Sequence, residues 1–183
     1  MTLTHYFPLM DSGNETLTEF FTSNITEYSE NEQRTIAEQL SHCSGRALRR
    51  FDQFNDYISR RLETEKWLYS AFLTTGGCPV SIHPFYFILG ENQQLKHDFG
   101  INAKALQLDT NLIHSNHISF TLGDSVGIYF SSAPNKIYLL DQLEDILSDP
   151  EFIQWQMKPL ESYHKYIEAQ LWDKHYVNKA IIM

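Results

Sequence analysis

Cysteine is almost absent: the 183 residues contain only Cys43 and Cys78. Two thiols without an export signal make no disulfide framework, so both are expected free and the chain is read as cytoplasmic. Positive charge is also scarce. Lys and Arg number 14 against 23 Asp and Glu, a formal net charge of −9. That balance argues against nucleic acid and anionic membranes as partners. No apolar stretch approaches the ~20 residues of a membrane-spanning helix. The opening MTLTHYFPLM lacks the basic flank and apolar centre of a signal peptide. There is no internal repeat, no low-complexity tract, no Walker A motif and no dinucleotide-binding glycine pattern. No cofactor and no metal are implied.

Aromatic residues are plentiful, with 12 Phe, 10 Tyr and 3 Trp, which excludes a disordered chain. A chain of this length buries roughly 70% of its unfolded surface and needs no disulfide or metal to fold. One domain over 1–183 is expected, with a helical subdomain (1–75), a sheet-containing core (80–140) and C-terminal helices (141–183).

Strand chemistry concentrates between His83 and Phe130. Pro84–Leu89 is a short apolar run ended by Gly90, the pattern of a strand covered on both faces. Ile118–Leu122 alternates, with Ile118, Phe120 and Leu122 on one side and Ser119 and Thr121 on the other. Ile128–Phe130 follows after Gly123–Gly127, so the pair reads as an antiparallel hairpin. Ala103–Leu108 and Lys136–Leu140 are further strand candidates. Gly90–Phe99 reads as a short helix stopped by Gly100.

Residues 1–11 read as a loosely held arm. Asn14–Tyr28 carries helical spacing, and Ser29–Glu32 has the form of a capping box for a second helix ending near Gly45. Gly45–Thr74 reads as one long helix on the spacing of Phe51, Phe54, Ile58, Leu62, Tyr69 and Phe72. A capped helix starts at Asp141 and runs to about Ser148. Leu160–Trp172 reads as a final amphipathic helix, with an apolar end that docks on the body. The expected fold is α+β: a four- or five-stranded, mainly antiparallel sheet with an N-terminal helical layer and C-terminal helices.

Two groups of residues carry candidate chemistry. Five of the six arginines, Arg46, Arg49, Arg50, Arg60 and Arg61, fall with Tyr57 within an arc of about 120° on the long helix. Guanidinium groups bind phosphate and carboxylate bidentately, so these are the candidate ligand-binding residues. The other account is an internal clamp, with Asp141, Glu144, Asp145, Asp149 and Glu151 lying over the stripe. His83, at a strand start, and Asp124 with Ser125 are the candidate catalytic residues. Gly123-Asp124-Ser125 resembles the nucleophile block of the SGNH hydrolases over three residues. The downstream Asp-x-x-His of that family is shortened here to Asp173-Lys-His175, and the Gly-x-Asn-Asp block is missing. The turn reading is therefore preferred. His114-x-x-His117 is the one close histidine pair.

Two functions are carried forward. The first is a cytosolic binding or regulatory protein (an inhibitor, adaptor or immunity-type factor) that contacts a protein partner, one of basic character suiting the acidic chain. The alternative is a small enzyme acting on a phosphorylated or carboxylated small molecule held by the arginines.

Overall fold

A computed structural model describes residues 1–8, 21–43, 45–132, 135–157 and 165–183. Its centre is an open seven-stranded sheet in the order β5-β4-β6-β2-β1-β3-β7, every neighbouring pair antiparallel. The strands are β1 Thr2–Phe7, β2 Phe85–Leu89, β3 Lys104–Asp109, β4 Ile118–Thr121, β5 Tyr138–Leu139, β6 Glu168–Leu171 and β7 Ile181–Ile182. The α+β class stands, but the sheet has seven strands rather than four or five.

The extra strands come from the two ends of the chain. The supposed arm is β1, buried between β2 and β3, so the sheet is not confined to residues 80–140. The supposed final helix contains β6, between β4 and β2. Glu, Ala, Gln and Leu are good helix formers, yet pairing on both edges outweighs that weak preference. Residues 160–164 of that expected helix lie outside the described residues, as do 14–20 of the first one. The apolar end is β7. It hydrogen-bonds to β3 through its backbone, while Ile181 and Ile182 stay exposed.

Two further expectations change. The Gly123–Gly127 hairpin is absent, and Ile128–Phe130 is no strand. Gly123, at φ +126°, turns the chain out of β4. Asp124 then caps a short helix, Ser125–Tyr129, its carboxylate accepting from the N–H groups of Val126 and Gly127 at 3.3 Å each. An Asp N-cap competes with a hairpin for the same residues, and here the cap wins. The long helix is also two elements. Arg46–Gln53 is 3-10 and Phe54–Thr74 is α-helical, with Gln53 at φ −116°, ψ 53° between them. Leu48 and Phe51, three apart, eclipse on the buried side, as a three-residue period requires.

The helices, labelled in chain order, are α1 Phe21–Asn24, α2 Glu30–Ser41, α3 Phe54–Thr74, α4 Gln93–Asp98, α5 Ser125–Tyr129, α6 Leu140–Ser148 and α7 Pro150–Met157. The capping box is present: Ser29 N–H donates to Glu32 Oε2 at 2.9 Å. Helix α6 starts one residue earlier than expected, with Gln142 accepting from Leu139 N–H.

Strand alternation gives the sheet two unlike faces. Leu3, Phe85, Phe87, Ile118, Phe120, Ala169 and Leu171 share one buried apolar cluster with Leu143 of α6 and Phe152 of α7. The intervening residues Thr4, Tyr86, Ser119, Thr121, Glu168 and Gln170 point the other way. That second face is covered by α2, the 3-10 helix and α3, through Leu40, Leu48, Phe51, Leu68 and Phe72. The arginines and the acidic cluster therefore belong to layers on opposite sides of the sheet, which overturns the internal clamp.

Candidate ligand cavity

Between the polar face and the 3-10 helix lies a cavity of about 440 Å³. Its floor is set by register. Thr121, Glu168, Ile88, Thr4 and Gln107 are successive cross-strand neighbours, and Ser119, Gln170 and Tyr86 form the next row. Neighbouring strands are about 4.8 Å apart, so Thr4 and Glu168, both lining the cavity, stand about 10 Å apart. The polar residues of β4 and β6 bond to one another. Gln170 Nε2 donates to Thr121 Oγ1 at 3.0 Å and to Glu168 Oε1 at 3.1 Å, and Ser119 Oγ donates to Gln170 Oε1 at 3.0 Å. Trp172 Nε1 closes the chain on Ser119 Oγ at 2.9 Å. Satisfied networks of this kind hold their members rigidly.

Glu168 is 8% exposed, and its Oε1 also accepts from Ser125 N–H at 3.2 Å. Burial, then the charge of Asp124, pushes its carboxyl up to about 8, against the pull of those hydrogen bonds. The Ser125 hydroxyl lies close enough to favour the charged carboxylate, but it is not aligned on either oxygen. It is fully buried, lines the cavity and has no well-formed hydrogen bond.

The arginines divide between three settings. Arg61 is 4% exposed and lines the cavity. Its Nε donates to Glu65 Oε1 at 2.8 Å, one terminal nitrogen donates to Tyr57 Oη at 2.8 Å, and the other donates to Ser23 O. Burial disfavours its charge, but Tyr57, Glu65 and Tyr86 more than offset this and raise its proton affinity. Arg46 and Arg50 line the cavity from the 3-10 helix. Arg50 lies over three rings, Phe51, Tyr57 and Phe99, at 5.4–5.8 Å, and its buried Nε has no hydrogen-bond partner. No carboxylate among the described residues pairs with it within 4 Å. Arg49 and Arg60 lie outside, on an adjoining groove, with Arg60 4.6 Å from the Phe130 ring.

Of the candidate catalytic residues, Asp124 and Ser125 line the cavity and His83 does not. His83 stands behind the arginine. Its Nδ1 donates to Glu65 Oε2 at 2.6 Å, and Tyr86 Oη donates to Glu65 Oε1 at 3.3 Å. Burial would raise Glu65, but Arg61 and then His83 hold it below the usual carboxylate range. A polar spine thus runs from half-buried His83 through Glu65 to Arg61 at the cavity wall.

Glu168, Tyr86 and Thr4 were missed as lining residues. The signal was the alternation Glu168, Ala169, Gln170, Leu171, hidden by helix-forming residue types. Elsewhere, His114 and His117 have ring centroids 5.6 Å apart, and His117 Nδ1 is 3.1 Å from Tyr176 Oη. No group of three or more His, Cys, Asp or Glu among the described residues is placed to hold a metal ion. No helix among them is long and apolar enough to cross a membrane. No family model, curated protein or solved structure matches the chain.

Proposed function

We propose that this chain is a small enzyme acting on a phosphorylated or carboxylated molecule, with Arg46 and Arg50 holding the anion and Glu168 exchanging a proton with it. The carrying observation is that Arg50, which has no carboxylate partner within 4 Å among the described residues, and a buried carboxyl pushed up to about 8 line one cavity. A guanidinium stacked on aromatic rings, with no carboxylate partner among the described residues, keeps its planar donors for an incoming anion. A carboxyl titrating near neutrality is matched to acid–base work at cellular pH. Asp124 and Ser125 act beside Glu168, and Arg61 with Tyr57 forms the wall.

Ethyl phosphate is the probe for the anion site. Calorimetry is expected to show binding that Arg50→Ala weakens at least about tenfold, the loss of one charged hydrogen-bond partner. Equal affinity in wild type and Arg50→Ala removes the support for this reading.

The protein-contact reading keeps one favouring observation. Ile181 and Ile182 are exposed on β7, with Met183 exposed just after it, at an edge of the sheet where another chain can add. Light scattering of wild type against a variant with Ile181→Lys and Ile182→Lys tests for self-association there. Identical monomer masses count against the edge as a contact between copies.

A further inference from the structure

The cavity is lined by an arginine and by two acids that do not pair with it. Asp124 and Glu168 line it from the sheet side and the cap of α5, while Arg50 lines it from the 3-10 helix. No ion pair within 4 Å joins Arg50 to either acid among the described residues. Opposite charges lining one cavity without contact leave space between them, and the field across that space is bipolar. A ligand carrying one negative group satisfies only the arginine end.

The acid end has its own sign of an occupant. Ser125 Oγ is fully buried there without a well-formed hydrogen bond among the described residues, and farther along the same floor Thr4 Oγ1 is buried and without a partner among them. Buried hydroxyls are costly to leave unmade, so each is a waiting acceptor as well as a donor. Glu168 spends Oε1 on Ser125 N–H and Gln170, and Oε2 makes no hydrogen bond with any described residue. A carboxyl oxygen and a hydroxyl oxygen side by side, next to the Asp124 carboxylate, form an acceptor set suited to N–H donors.

We propose that the ligand is bipolar, a small molecule with a phosphate or carboxylate on Arg50 and an ammonium group on Glu168, Ser125 and Asp124. This rests on the anion reading above and adds the second end. The titratable and charged groups that share the cavity with Glu168 come from every element around it. Asp124 stands at the cap of α5, Tyr86 on β2 and Tyr166 ahead of β6. Across the cavity are Tyr57 and Arg61 of α3 and Arg50 of the 3-10 helix. Burial, and then the charge of Asp124, favours the protonated form of Glu168 at neutral pH. An ammonium beside it favours the carboxylate, so binding expels that proton to solvent.

Three probes test this in wild type: phosphoethanolamine, ethyl phosphate, which has a hydrogen in place of the ammonium, and ethanolamine, which lacks the phosphate. Phosphoethanolamine is expected to bind at least about tenfold tighter than ethyl phosphate, as befits a charged hydrogen bond gained. It should also release most of one proton per site at pH 7 beyond any release by ethyl phosphate, read with an indicator dye in weakly buffered solution. Glu168→Gln, whose folding is checked by its melting temperature, is expected to abolish both differences while keeping ethyl phosphate binding. Equal affinity for the two phosphates, with Arg50→Ala still weakening both, overturns the ammonium end and leaves the anion site standing. Phosphate binding that ignores Arg50→Ala, or no binding of either phosphate, overturns both.

Discussion

The two faces of the sheet are built by the same strands in the same register, and they do different work. One face puts Phe85, Phe87, Ile118, Phe120 and Leu171 into a buried apolar cluster. The other puts Ser119, Thr121, Gln170 and Glu168, all equally buried, into a hydrogen-bonded layer beneath a cavity. Burial alone therefore does not separate core from site. What separates them is whether the polar atoms are satisfied. The layer around Gln170 is closed on itself, while Arg50 Nε, Ser125 Oγ and Thr4 Oγ1 are left open.

Substitutions on the two faces should break this comparison differently. Phe120→Ala on the apolar face is expected to cost about 3–5 kcal/mol in chemical denaturation. Arg61→Ala, at the cavity wall, belongs in the same range of about 3–5 kcal/mol, because it takes the arginine partner from the buried Glu65 carboxylate and leaves it only His83 and Tyr86. A loss below about 1 kcal/mol in Arg61→Ala would show that water reaches Glu65 and that the spine is not buried.

Next in size is pH dependence. The folded state binds the Glu168 proton more tightly than the unfolded chain does. Its contribution is greatest below the ordinary carboxylate range and is lost as pH rises toward about 8. Glu65 is lowered and has the opposite sign, contributing above that range and losing its contribution as pH falls. Glu168→Gln should therefore melt at or above the wild-type temperature at pH 9 and lose its advantage by pH 5. A variant less stable than wild type at pH 9 contradicts an elevated Glu168.

Smaller effects sharpen the boundary between satisfied and open groups. Thr121→Val removes an acceptor from Gln170, which keeps its bond to Glu168, and should cost about 1 kcal/mol. Ser125→Ala removes a buried hydroxyl without a well-formed bond, so stability should stay within about 0.5 kcal/mol or rise. A larger loss than that of Thr121→Val would mean that the Ser125 hydroxyl is held by Glu168 after all. The two cysteines are not bonded to each other, and Cys78 is exposed while Cys43 is half-buried, so two thiols should react with a thiol reagent, Cys78 first.

Much of the local structure was legible. The alternation of Ile118 to Leu122, the capping box at Ser29, the Pro84–Leu89 run and the Gly100 stop are short-range patterns, and each describes its own segment correctly. The residue types of the cavity were partly legible too: Arg46, Arg50, Arg61, Tyr57, Asp124 and Ser125 line it, whereas Arg49, Arg60 and His83 do not. What failed was reading partners from periodicity. The stripe of five arginines assumed one straight α-helix, whereas residues 46–53 are 3-10 and the backbone breaks at Gln53 before Phe54–Thr74.

Composition and pattern, taken by themselves, determined that the chain mixes helices with an antiparallel sheet and that its arginines cluster in one segment. These follow from interactions within a few residues: turn chemistry, capping and side-chain period. Only the tertiary structure decided that residues 2–7 and 168–171 become strands of the sheet, and that Glu168 meets Asp124 and Arg50 in one cavity. Strand pairing and the proton affinity of Glu168 depend on neighbours tens of residues away along the chain. Helix-forming Glu-Ala-Gln-Leu becomes a strand because two flanking strands supply backbone partners, and its glutamate is pushed up because burial removes the water that would solvate its charge.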